Sequence, residues 1–293
     1  MTRSGLDPEV ARAIAAAVGA TITSSRAIGG GSISTAFALG LSDGREVFAK
    51  TLAGADPRMF PCEARGLAWI GDAVRVPRVV AVSDETAPGP AFLVLELVRP
   101  ASRRRADYDE RLGRDVAALH ATRAGCYGLP YDNFIADLPQ PNAPLPEWSE
   151  FYARRRLEPQ VAAAIRSGWA PASWAGRFER LIDRLPDLVG PSEPPARLHG
   201  DLWSGNLHVD AHGAPCLIDP AVYGGCREID LAMLDLFGSP GTRFWGAYDE
   251  ALPRAPGARD RIALYQLYPL LVHVNLFGGR YAQSVEAALD RYL

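Results

Sequence analysis

Three side chains stand at spacings that suit work on a phosphate. Asp201 and Asn206 lie five positions apart in His199-Gly200-Asp201-Leu202-Trp203-Ser204-Gly205-Asn206, and Asp219 follows in CLIDP. Phosphoryl transfer asks a protein for an oriented hydroxyl and for ligands to the metal ions that neutralise the phosphates, and for little covalent chemistry. An Asp followed five residues on by an Asn, in a loop leading into a short strand, supplies a base and a metal ligand. A second Asp beyond the next strand reaches the same metal. Each residue alone reads as a turn or cap residue; the joint arrangement points to phosphoryl transfer.

A second group lies far upstream. Lys50 ends EVFAK, and Glu63 stands thirteen residues later at the opening of an expected helix. In kinases a strand lysine holds the α- and β-phosphates and pairs with a helix glutamate. Lys50 is the one lysine among 31 basic residues, and a compact ammonium suits a phosphate as a point charge where arginine would bring a wider fork. Gly29-Gly30-Gly31-Ser32, between two expected strands, offers backbone N–H groups to ATP phosphates, with Gly30, Gly31 and Ser32 as the contacts. It lacks the third glycine of G-x-G-x-x-G. Glu96 and Val98, at the end of the apolar run AFLVLELV, offer a carbonyl and an N–H to adenine by position.

These residues need elements to hold them. Asp7 and Pro8 mark the start of a first helix. Residues 33–41 and 45–51 read as strands around an Asp43-Gly44 turn, residues 62–71 as a helix, and 76–82 and 91–98 as further strands. The helix 62–71 draws its apolar face from Ala64, Leu67, Ala68 and Trp69. From Tyr108 onward the pattern is helical, with proline-rich loops at 138–146 and 186–195 and a strand-turn-strand unit at 197–219. The expected architecture is α+β: a protein-kinase-like bilobal fold. Its strand-rich nucleotide-binding lobe covers 1–98, and its larger helical lobe at 99–293 carries the catalytic loop and substrate site.

Bulk properties exclude several classes. A formal net charge of −3 leaves no basic field for nucleic acid or an anionic membrane. No apolar run approaches the roughly eighteen residues of a membrane span, and the N-terminus lacks a signal peptide. Cys62, Cys126, Cys216 and Cys226 are unpaired in sequence and read as the reduced thiols of a cytoplasmic protein. Gly200 precedes Asp201, and Asp230 follows Asp219 too closely for a regulated activation loop, which favours small acceptors. Asp230 is expected to brace the catalytic loop or cap its helix. His208 and His212 straddle a turn and are a poor metal pair; His120 reads as a packed or hydrogen-bonded helix residue.

The chain resembles the fructosamine kinase (ketosamine-3-kinase) family, relatives of aminoglycoside phosphotransferases and choline kinases. The resemblance runs nearly end to end and rests most on LHGDLWSGN, DNFI with PQPN, and REIDLAM. It implies ATP-dependent phosphorylation of the 3-hydroxyl of a sugar carried on an amine, after which the adduct decomposes and frees the amine. By that resemblance Asp201 is the base, Asn206 and Asp219 hold Mg²⁺, Lys50 backed by Glu63 holds phosphates, and Trp203 stacks on the substrate. The acceptor is a small ketosamine or a glycated protein amine.

Two departures bear on the acceptor. Cys226 stands where the family usually has histidine, and FGSPGTRFWGAY differs from the usual glycine-aromatic version. The rival readings are an aminoglycoside- or choline-type phosphotransferase, which would favour a carboxylate cluster not evident here, and a pseudokinase, which would have lost Lys50, Asp201 or Asp219.

Overall fold

A computed structural model describes residues 5–29 and 34–293. In chain order the first elements are α1 (Pro8–Val18), β1 (Ile22–Ile28), β2 (Thr35–Leu41), β3 (Glu46–Thr51), α2 (Met59–Ile70), β4 (Val79–Val82) and β5 (Phe92–Glu96). Then come α3 (Tyr108–Ala121), β6 (Asn133–Ile135), β7 (Leu138–Gln140), α4 (Trp148–Phe151), a π-helical turn (Tyr152–Leu157), α5 (Glu158–Arg166) and α6 (Trp174–Leu188). Last are β8 (Ala196–Leu198), β9 (Leu207–Val209), β10 (Pro215–Leu217), β11 (Tyr223–Gly225), α7 (Glu228–Leu236), α8 (Thr242–Ala251), α9 (Ile262–Phe277) and α10 (Ala282–Leu289).

The chain forms two compact units. One takes the chain up to Tyr108 together with Leu207–Pro220; the other takes Asp109–Asn206 and Ala221–Leu293. The α+β class, with strands first and helices later, is the one expected. The division differs from the expected break after residue 98, for a visible reason. The β9–β10 hairpin is bonded to the first unit by Leu217 N–H to Arg75 C=O (2.8 Å), Ala101 N–H to Asp210 C=O (3.0 Å) and Arg105 N–H to Gly213 C=O (3.0 Å).

In the first unit an antiparallel sheet runs β1-β2-β3-β5-β4. Alternation along β5 sends Phe92 and Val94 to one face and Leu93 and Leu95 to the other. The first pair packs with Val10 and Ile14 of α1, and the second with Phe60 and Leu67 of α2. Both faces are covered, so the strand reads as one continuous apolar run. Asp7 caps α1 as expected, its carboxylate accepting the Glu9 N–H at 2.8 Å.

Three boundaries differ from expectation. Helix α2 begins at Met59, three residues before Cys62, and Ala68 is exposed while Phe60, Leu67 and Ile70 are buried. Strand β7 lies inside the expected 138–146 loop, paired with β6 through Asn133 and Gln140. Helix α6 runs on to Leu188 through Pro186. In the second unit α9 is buried on nearly every side, as its unbroken apolar sequence requires.

Candidate active site

In the first unit, Lys50 occupies the α2 face of β3 because Val47 and Ala49 take the other. On α2, residues 60, 63, 67 and 70 form one stripe, so Glu63 shares the inward face with Phe60, Leu67 and Ile70. The two meet: Lys50 Nζ lies 2.9 Å from Glu63 Oε1 and 2.6 Å from Asp219 Oδ1. Burial alone would lower the Lys50 pKa, but the charges of Glu63 and Asp219 raise it well above its ordinary value. Burial pushes the Glu63 carboxyl up, Lys50 pulls it down, and the charge of Asp219 adds to the rise.

Asp219 differs from its two partners. Its side chain is 42% exposed, against 8% for Lys50, and its backbone is left-handed with φ 56°. A non-glycine residue held there is strained, and such strain concentrates at functional positions. The segment after Pro220 is held in the second unit: Asn133 Nδ2 donates to Val222 C=O (2.8 Å) and Gln140 Nε2 to Ala221 C=O (3.1 Å).

The residues expected to form a catalytic loop fold in the second unit. Asn206 Nδ2 donates at 2.8 Å to both the backbone carbonyl and Oδ2 of Asp201. Both amide hydrogens are thereby used, and the Asn206 carbonyl oxygen is left as an acceptor, the donor type that Mg²⁺ takes. The exposed carboxylate of Asp219, in the first unit, is by its own chemistry an oxygen donor of the same kind. Burial pushes the Tyr268 hydroxyl on α9 up to about 12, with the charge of Asp201 contributing. The Trp203 indole lies over Gly205 and meets Phe237 edge-on, centroids 5.9 Å apart.

Asp230, on α7, braces this loop as expected. Its Oδ2 accepts the His199 N–H at 2.7 Å and its Oδ1 the Gly200 N–H at 2.9 Å. Gly200 has φ 82°, and a Cβ there would sit 2.0 Å from the Ala221 carbonyl oxygen, so no other residue fits. Behind Asp230 runs a buried relay that sequence reading missed beyond His120. His120 Nε2 lies 3.2 Å from Asp230 Oδ2, and His120 Nδ1 lies 2.9 Å from the Tyr248 hydroxyl. Arg227 Nη1 donates to that hydroxyl (3.2 Å), and Arg227 grips Glu193 with two bonds of 2.8 Å. With the imidazole proton on Nε2, every donor along the row finds an acceptor.

Of the nucleotide contacts expected from sequence, Gly30, Gly31 and Ser32 lie outside the described residues. Val98 keeps its N–H without a partner among the described residues, while its carbonyl is held by His208 Nε2 at 2.8 Å. The Glu96 carboxylate is committed to Arg75 (2.6 Å) and to the Arg78 N–H (3.1 Å). His212 lies in the β9–β10 turn, where its N–H bonds Asp210.

The chain matches the fructosamine kinase family over residues 6–293. It is 36% identical over 275 residues to a probable ketoamine kinase of Synechocystis, covering 92% of this chain and 90% of the relative. It is 36% identical over 277 residues to a chloroplastic protein-ribulosamine 3-kinase of Oryza sativa subsp. japonica, covering 93% of this chain and 79% of the relative. The crystal structure of a fructosamine-3-kinase candidate from Thermobifida fusca superposes with a TM-score of 0.88 at 36% identity, covering 98% of this chain and 99% of that one. More distant phosphotransferases, at 18% and 16% identity, share the fold alone. Relatives at this identity and coverage, with a family match spanning nearly the whole sequence, leave one assignment: the chain belongs to the fructosamine kinase family.

Proposed function

We propose that the protein is an ATP- and Mg²⁺-dependent kinase that phosphorylates the 3-hydroxyl of a sugar carried on an amine, a fructosamine or ribulosamine. The observation that carries the kinase reading is the single lysine of the chain, buried between Glu63 and Asp219. Family membership and the names of the relatives narrow the acceptor to ketosamines. In this reading Lys50, kept protonated by two carboxylates, holds phosphate oxygens, and the Val98 N–H receives adenine beside the Glu96 carbonyl. Asn206 and Asp219 hold Mg²⁺, which when bound supplies charge neutralisation at the phosphates.

Asp201 orients the acceptor hydroxyl and takes its proton. The hydroxyl oxygen forms its bond to the γ-phosphorus as the bond to the bridging oxygen of ADP breaks. Asn206 fixes the Asp201 carboxylate through Oδ2. Trp203 offers its ring face to the sugar. The acceptor is a small ketosamine or a glycated protein amine. Four free cysteines support a cytoplasmic setting, and no helix among the described residues is long and apolar enough to cross a membrane.

The test is ATP consumption with Mg²⁺ against a fructosamine, a ribulosamine, an aminoglycoside and choline. Turnover is expected on a ketosamine and is expected to fall by about 10²–10⁴-fold in Asp201→Asn, with ATP binding retained. Unchanged turnover in that variant defeats the mechanism; turnover on choline or the aminoglycoside alone defeats the acceptor.

A further inference from the structure

Among the described residues the exposed large apolar side chains are Trp169, Phe277 and Leu293, and Gly278, next to Phe277 in the chain, lies under the Trp169 ring. Trp169 is 48% exposed and Phe277 37%. The Trp169 ring lies across Gly278, where a Cβ would meet it at 3.5 Å. From this ledge a row of rings leads inward. Phe277 meets His273 at 5.5 Å between centroids, His273 meets Phe237 at 4.8 Å, and Phe237 meets Trp203 at 5.9 Å. Tyr281 closes over His273 at 5.0 Å. The whole row belongs to the second unit and ends two residues from Asp201.

Arg280 covers the outer end. Its guanidinium carbon lies 5.1 Å from the Tyr281 ring centre and 5.4 Å from that of Phe277. It is exposed and pairs with no carboxylate among the described residues. His273 adds no second charge. Burial lowers its pKa, with Arg280 contributing, and its Nδ1 donates to the Pro269 carbonyl at 2.7 Å. The row is therefore apolar and aromatic along its length, with one uncommitted cation at its solvent end.

We propose that this row receives the amine-borne half of the acceptor, and that Arg280 reads a carboxylate on it, so that ketosamines of free amino acids are favoured over those of plain amines. The inference rests on the ketosamine reading above. If the sugar sits between Asp201 and Trp203, the group on its nitrogen leaves along the surface that continues from Trp203. An aliphatic stem lies against ring faces there, and the protonated secondary amine of the adduct is attracted by those faces. A neutral His273 does not oppose that charge. A terminal carboxylate meets a guanidinium whose donor fork matches it and which has no competing partner. Exposed apolar patches of this kind mark binding surfaces.

The experiment uses matched acceptors that differ only at the far end: ketosamines of glycine and glycinamide, and of 6-aminohexanoate and its amide. We expect the wild-type protein to favour the carboxylate of the better pair by about five- to tenfold in kcat/KM. The preference should sit in KM and weaken with salt. Arg280→Gln should bring the ratio to about one by raising KM for the carboxylate member of each pair. Phe277→Ala should raise KM for both members of a pair. A ratio of about one in the wild-type protein at both lengths, or a preference that survives Arg280→Gln, overturns this inference and leaves the kinase reading standing. Absence of turnover on every ketosamine overturns the parent reading and this one with it.

Discussion

Two buried polar clusters support the two halves of the machinery, and they are built on opposite plans. Lys50, Glu63 and Asp219 form a chain of full charges, closed at the Glu63 end and open at Asp219, whose side chain is 42% exposed. Glu193, Arg227, Tyr248, His120 and Asp230 form a row in which charge is confined to the ends, the middle members are buried, and Asp230 finishes on two backbone N–H groups. Closing one ion pair around another group's carboxylate costs desolvation and fixes little unless every lone pair is matched. In the second row each carboxylate oxygen and each nitrogen of the Arg227 guanidinium has a partner. The open cluster is suited to receive a ligand, the closed one to hold a loop still.

That contrast breaks most visibly at Lys50. Lys50→Met should lower kcat/KM by about 10³-fold or more, because charge stabilisation aimed at the transferred group is the main service a kinase provides. Folding stability should change by less than about 2 kcal/mol. The Glu63 carboxyl is already pushed up by burial and takes a proton when its partner is gone. Steady-state kinetics and urea unfolding read the two effects separately. A stability loss of about 3–5 kcal/mol, the cost of stranding a buried charge, would make the trio a structural strut and erase the distinction.

The closed row should respond in the reverse sense. Tyr248→Phe removes the hydroxyl between His120 Nδ1 and Arg227 Nη1, taking the donor from the imidazole and one bond from Arg227 Nη1, which keeps the Leu252 carbonyl. A loss of about 1–3 kcal/mol is expected in urea unfolding. The accompanying fall in kcat should not exceed about tenfold, with KM for ATP unchanged. A large kinetic effect without a stability effect would give Tyr248 a part in the chemistry that its burial does not suggest.

Sequence reading reached the open cluster and mostly missed the closed one, for a physical reason. Lys50, Glu63, Asp201, Asn206 and Asp219 are proposed for chemistry that only certain side chains can perform, so type and spacing single them out. Glu193, Arg227 and Tyr248 are joined by hydrogen bonds across tens of residues and have no local spacing to betray them. Only Asp230 and His120 were legible there, each from its place on an apolar helix. The same holds for the fold. The Asp7 cap announced α1, whereas α2 begins at Met59 with no side-chain cap on its first N–H groups, so nothing marked its start. Pro186 suggested a loop, but α6, anchored by Phe178, Leu181 and Leu185 before it, carries on through Pro186 to Leu188. Pro139 hid β7, which survives because a two-stranded ribbon leaves an edge free of ladder donors. The allegiance of residues 207–220 rests on three long-range backbone bonds that no local pattern encodes.

The smallest expected effect separates the closed row's charged end from its neutral middle. Hydrogen bonds from Arg227 hold the Glu193 carboxyl below its ordinary value of 4.5, burial opposing them. On acidification the unfolded chain takes this proton first, so stability falls with pH in that range. The contribution is fully present above the ordinary value and is lost as pH falls through the lower folded value. Glu193→Gln should remove it, at a cost on the order of 1 kcal/mol at pH 7 once solvent screening of a half-exposed pair is allowed for. Melting curves from pH 7 down to about 3.5 should then be flatter for the variant than for the wild-type protein, the two converging at the acid end. Parallel curves would mean that Arg227 is held by Tyr248 and the Leu252 and Pro253 carbonyls alone, and that the row is closed without its carboxylate.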